Sequence, residues 1–310
     1  MVLELRDVCK SFGEKRVLNG IGFTAAGGGA LGLLGRNGAG KTTTIRIVMD
    51  IFKQDSGEVS LKKDGAALPR SRVKMGYMPE ERGLYPKKKI IEQMVYFGEL
   101  RGLAARAAKK SAERLLGELE ADEYLDKKLE TLSKGNQQKI QLAIALINDP
   151  DVVILDEPFS GLDPVNSVLL KRMIDSYVKR DKIVLFSSHQ MPYVEEFCSH
   201  VCIINKGVIV LDGELPEIKK GYPRNRIRVV PGPETGLESL KKILQEASGG
   251  FIKNIEESRG GVVVTLRDES GKRPLLDYLN ARGVCPDLFA VTEPTLEEIF
   301  VEKAGNDEPV

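Results

Sequence analysis

Residues 31–43 constrain this chain more than any other stretch. Leu31-Gly32-Leu33-Leu34 is an apolar run of strand length, and Gly35-Arg36-Asn37-Gly38-Ala39-Gly40-Lys41-Thr42 follows the pattern G-x-x-x-x-G-K-[ST], with Thr43 onward reading as a helix. A strand that turns through glycines into a helix aims backbone N–H groups and the positive end of the helix dipole at one point. That geometry binds phosphate. The expected binding set is Gly35, Arg36, Asn37, Gly38, Ala39, Gly40, Lys41, Thr42 and Thr43. Lys41 would bridge the β- and γ-phosphates as a point charge, and the Thr42 hydroxyl would ligate Mg²⁺. The plainer alternative, a glycine-rich turn without a ligand, loses ground once a second segment is counted.

That segment is Val152-Val153-Ile154-Leu155-Asp156-Glu157. Its apolar run predicts a strand buried on both faces, which puts the two acids at the strand's carboxyl end, where ligands bind in doubly wound sheets. Asp156 is suited to holding Mg²⁺ through water, and Glu157 to orienting and deprotonating a water that attacks the γ-phosphate. An acidic pair at a strand end is often only a solvated turn. Here Pro158-Phe159-Ser160-Gly161-Leu162-Asp163-Pro164 follows at once, and the polar stretch Leu132-Ser133-Lys134-Gly135-Asn136-Gln137-Gln138 lies upstream.

Composition sets bounds. The 310 residues are 42% hydrophobic, enough for more than one core, and the charged residues nearly cancel to +1, so bulk charge gives no argument for nucleic acid. No apolar run reaches the length of a membrane span, and residues 1–6 lack a signal-peptide pattern. Cys9, Cys198, Cys202 and Cys285 show no C-x-x-C spacing; Cys198 and Cys202 flank His200, for which buried packing is the expectation, and reduced thiols fit the cytoplasm.

The pattern along the chain predicts three regions. Residues 2–30 alternate apolar and polar, as an antiparallel β-layer does. From about residue 86 to residue 140 the pattern is helical, with Ile91, Met94, Val95 and Leu100 near i, i+3, i+4 spacing. A boundary is expected at Gly221-Tyr222-Pro223, after which strands, helices and strands follow in the order β-α-β-β-α-β, a ferredoxin-like arrangement, and a last amphipathic helix starts at Pro294. The expected fold is α/β: a P-loop NTPase sheet with an antiparallel β-layer and helical subdomain over 1–221, a small C-terminal α+β domain over 222–304, and a tail at 305–310.

In this order the motifs resemble those of the nucleotide-binding subunit of ABC transporters, over roughly the first 220 residues. Gly35 to Thr42 resembles the Walker A loop, Leu132 to Gln137 the signature segment, Val152 to Glu157 Walker B, Ser160 to Asp163 the D-loop and His189 the switch histidine. The resemblance implies that Phe12 stacks on adenine and that His189 meets the γ-phosphate. It implies that Ser133 and Gly135 serve ATP bound to the opposite subunit of a head-to-tail homodimer or heterodimer with a homologous ATPase. A permease on a separate chain, and a location on the cytoplasmic face of the membrane, are further implications. Without the family, Phe12 would read as core.

Two departures stand out. The signature is most often L-S-G-G-Q, and Lys134 and Asn136 replace its third and fifth residues. Glu80, in Tyr77-Met78-Pro79-Glu80-Glu81-Arg82-Gly83-Leu84-Tyr85, stands where most members carry a glutamine that ligates Mg²⁺. A carboxylate can still ligate Mg²⁺, while adding negative charge near Glu157. The run resembles the sodium-efflux and drug-exporter branch, as does the C-terminal extension. A soluble ATPase of the same superfamily, acting on ribosomes or nucleic acid, is the alternative; such chains usually carry two ATPase units, long coiled coils or zinc inserts, which are missing here.

Overall fold

The computed structural model describes residues 1–81, 83–160, 162–247, 250–258 and 260–305. Arg82 and Gly161, inside two of the motifs quoted above, and the expected tail beyond 305 lie outside the described residues. Along the chain run β1 (Val2–Phe12), β2 (Lys15–Ala26), β3 (Ala30–Leu34), α1 (Lys41–Val48), β4 (Ser56–Lys63), β5 (Ala66–Leu68) and β6 (Met75–Met78). Helices α2 (Ile90–Leu100), α3 (Ala105–Glu118) and α4 (Lys134–Ala145) follow, then β7 (Val152–Asp156), α5 (Pro164–Lys179), β8 (Ile183–Ser188), α6 (Met191–Phe197), β9 (His200–Asn205), β10 (Val208–Glu214) and α7 (Leu215–Lys220). The remainder is β11 (Arg226–Pro231), α8 (Leu237–Glu246), β12 (Ile252–Ser258), β13 (Gly261–Leu266), α9 (Lys272–Ala281), β14 (Pro286–Val291) and α10 (Leu296–Ala304).

Two compact units result, one from Met1–Leu215 together with Ile299–Val310, the other Pro216–Glu298. In the first, a sheet ordered β10-β9-β3-β8-β7-β6 is parallel except for β10. Every residue of β3, β7 and β8 is buried, which explains why their sequences are apolar runs rather than alternations. A second sheet, β2-β1-β4-β5, is antiparallel, and β2 alternates between buried and exposed over its second half. Leu3, Leu5, Ile21 and Phe23 from this layer share one core with Ile45 and Ile47 of α1 and with Leu31, Ile154 and Leu185. Register then fixes the working edge: Leu34 pairs with Ser188, and Asp156 with Ser187.

The second unit has the expected β-α-β-β-α-β order. Its antiparallel sheet runs β12-β13-β11-β14, closed over a core that includes Ile227, Val229, Leu240, Leu244, Val264 and Leu279. Two boundaries differ from those expected. The division falls at Leu215/Pro216 rather than near residue 221, and the end of α10 belongs to the first unit instead of the C-terminal domain. Its last turn is held there by Asn205, whose Nδ2 donates to Ala304 O at 2.9 Å, and by Arg36, whose Nη2 reaches Gly305 O at 3.5 Å.

Candidate active site

Between β3 and α1 the chain turns on glycines. Gly40 has φ +116°, and a Cβ there would stand 2.5 Å from Leu18 Cδ2, so backbone and packing both require glycine. Lys41, 7% exposed, opens α1 and folds back on the loop, donating from Nζ to Gly35 O at 2.6 Å and Arg36 O at 3.4 Å. Burial lowers its pKa, opposed by the charges of Glu157, Asp156 and Glu80. All three acids thus act on one ammonium.

Asp156 ends β7 with only 2% of its surface exposed, and the Ser187 hydroxyl from β8 donates to its Oδ1. Burial raises its pKa and Glu157 adds to the rise, against the Ser187 hydrogen bond and the charges of Lys41 and Arg46. The neighbouring Tyr77 hydroxyl, half-buried and facing Asp156, is pushed up to about 12. Glu157 takes a left-handed backbone conformation at φ +51°, strained for a residue with a side chain, and its N–H donates to Ser187 O at 3.0 Å. That turn carries the carboxylate off the strand. Ser188 Oγ donates to Glu157 Oε2 at 3.0 Å and His189 Nδ1 stands 2.8 Å from Oε1, so both oxygens are held.

A cavity of about 600 Å³ opens over the glycine loop. Of the residues expected from sequence it is lined by Arg36, Asn37, Gly38, Gly40, Lys41, Thr42, Thr43, Glu80, Asp156 and Glu157. Gly35 and Ala39 belong to the same loop without lining it. His189 meets Glu157 from outside. Phe12 is 45% exposed, edge-on to Phe52 at 5.4 Å, with Lys10 Nζ 5.5 Å from its ring centre. Ser133 and Gly135 are not among the lining residues: Ser133 caps α4, accepting from Asn136 N at 3.3 Å, and Gly135 approaches Asn166.

Sequence reasoning missed Lys15, Arg16, Val17 and Lys206, which also line the cavity. Lys15 and Arg16 follow the β1–β2 turn, and Lys206 with Gly207 forms the two-residue β9–β10 turn, both at positive φ. An Asn-Lys-Gly hairpin signal was legible; that its lysine faces a phosphate loop was not. Two glutamines of α4 were missed as well. Gln138 Nε2 donates to Pro158 O at 2.6 Å and stands 3.5 Å from Glu157 O, while Gln141 Nε2 donates to Pro79 O at 2.6 Å and Glu81 O at 3.2 Å.

Cations on the loop side and carboxylates opposite suit a triphosphate with a divalent ion between. The Thr42 hydroxyl with the Glu80 and Asp156 carboxylates is an all-oxygen set, which fits Mg²⁺, an ion bound through one or two carboxylates together with phosphate and water oxygens. Elsewhere, His200 Nε2 pairs with Asp212 at 2.9 Å, and Cys198 and Cys202 are buried with raised thiol pKa values.

Fold and site define a P-loop ATPase. The ABC transporter family model matches residues 18–160, and a model for the C-terminal domain of DrrA1-3-like ATP-binding proteins matches residues 213–304. An uncharacterised ABC transporter ATP-binding protein of Alkalihalophilus pseudofirmus is 41% identical over 273 residues, 88% of this chain and 98% of the relative. Nod factor export ATP-binding protein I of Burkholderia lata is 37% identical over 309 residues, 98% and 97% of the two chains. A solved ATP-binding subunit of an ABC transporter superposes with TM-score 0.64 at 28% identity, over 71% of this chain and 92% of that one. The chain belongs to the ABC transporter ATP-binding family. It is an ATPase subunit. Among the described residues no helix is long and apolar enough to cross a membrane.

Proposed function

We propose that this subunit drives export through a permease on a separate chain, docked at the inner face of the membrane, and that it works as a head-to-tail dimer around two ATP molecules. The supporting observation is the convergence of Lys41, Asp156 and Glu157 on one cavity, with Ser188 and His189 fixing Glu157. The loop N–H groups and Lys41 bind the β- and γ-phosphates, and Phe12 stacks on the purine. Thr42, Asp156 and Glu80 would hold Mg²⁺, which would supply charge neutralisation at the phosphates. Glu157 takes the proton of the attacking water. Donation from His189 Nδ1 to the γ-phosphate would release Glu157 Oε1, since one N–H serves one of the two acceptors. Ser133 and Gly135 of the second subunit close on that phosphate, and its hydrolysis opens the pair. Export follows the name of the Nod factor relatives.

The test is Glu157→Gln. Turnover should fall by about a hundredfold or more while ATP binding persists. Captured from solubilised membranes with ATP and Mg²⁺, the variant should bring down a polytopic membrane protein. Near wild-type turnover removes Glu157 from the base role, and recovery of ribosomes or nucleic acid without a membrane protein sinks the transporter reading.

A further inference from the structure

Glu80 sits on a segment that the sheet does not hold. β6 ends at Met78, whose partner is Leu155, so Pro79, Glu80 and Glu81 lie beyond the ladder. Proline offers no N–H to fix such a turn. The fixing comes instead from α4. Gln141, 5% exposed, sends Nε2 to the carbonyls on both sides of Glu80, Pro79 O at 2.6 Å and Glu81 O at 3.2 Å. An amide nitrogen with two protons matches two carbonyl acceptors, and neither a carboxylate nor a thioether of similar length does. One turn earlier on the same face, Gln138 grips the main chain at Pro158 in the same way.

We propose that Gln141 is a positioning residue for the metal: by clamping the carbonyls that flank Glu80, it sets where the Glu80 carboxylate stands in the nucleotide cavity. This rests on the reading of Glu80 as a Mg²⁺ ligand. It also ties α4, which Ser133 caps, through the Pro79 and Glu81 carbonyls to the segment that carries Glu80. Movement of that helix would then change metal affinity at the subunit's own site.

Gln141→Met keeps length and volume but removes both donors; Gln141→Asn, which keeps the amide but shortens its reach, serves if the methionine variant does not fold. Mn²⁺ affinity of the full chain with a non-hydrolysable ATP analogue is read by electron paramagnetic resonance, alone and combined with Glu80→Ala. Exchange of the Glu80 and Glu81 amides is followed by hydrogen–deuterium mass spectrometry. The single variant should weaken Mn²⁺ about tenfold, in the range of lost outer-shell contacts, with metal-free nucleotide affinity unchanged and faster exchange at Glu80 and Glu81. In the Glu80→Ala background the same change should have no further effect. Unchanged Mn²⁺ affinity in the single variant, or equal weakening in both backgrounds, overturns the proposal. If Glu80→Ala alone leaves Mn²⁺ affinity untouched, the ligand reading of Glu80 fails, and any effect of the Gln141 variant then runs by another route, which also overturns it.

Discussion

Asp156 shows what a single residue costs the fold for its chemistry. Its folded pKa lies above the ordinary 3.8, so the native state holds the proton more tightly than the unfolded chain. Stability therefore falls as pH rises from 3.8 through the folded pKa, and the burial penalty is present in full above it. Asp156→Asn should raise the nucleotide-free Tm at pH 7 by about 2–4 °C, with the gain shrinking as pH approaches 4. The same variant should lose Mg²⁺-dependent nucleotide binding. Calorimetry across pH tests this, and a destabilised variant at pH 7 would count against the buried-charge account. The loop from Gly35 to Thr42 was readable because its chemistry is local in sequence. Ser187, Ser188 and Gln141 were not, because strand register or a helix face brings them to the acids, and a lone serine or glutamine carries no motif.

Helix α4 joins two duties at the scale of an element. Ser133 is its N-cap, satisfying the Asn136 N–H, and is also the residue proposed to reach the second subunit's ATP. These roles separate by substitution. Ser133→Ala should cost about 1 kcal/mol by removing the cap. Ser133→Asp should keep the cap and the Tm, yet abolish ATP-dependent pairing of the Glu157→Gln protein, since a carboxylate would face the phosphate. Size-exclusion chromatography with ATP decides: pairing by a Ser133→Asp variant that melts normally would place the trans contact elsewhere. The start of α4 was legible from its polar cap. Its grip on two acidic loops was hidden, because Gln138 is one polar residue among several and Gln141, between Ile140 and Leu142, reads simply as a tolerated polar residue.

For the whole molecule, two separate cores imply two melting events. Leu279, fully buried in the second core, should cost about 2–5 kcal/mol when cut to alanine. Only one calorimetric transition should shift, and ATP should raise the other. A Leu279→Ala protein in which ATP moves both transitions equally would merge the units energetically. The order of regions was legible from changes of hydrophobic period. Where α10 ends was not: Leu296, Ile299 and Phe300 mark an amphipathic helix without saying which core receives each residue. Its final turn meets Asn205 and Arg36, and Arg36 lines the nucleotide cavity. A dye coupled near residue 305, with the exposed Cys285 thiol first removed, would therefore be an optical reporter of nucleotide occupancy, whereas a bulky fusion at the same place would interfere with the reaction under study.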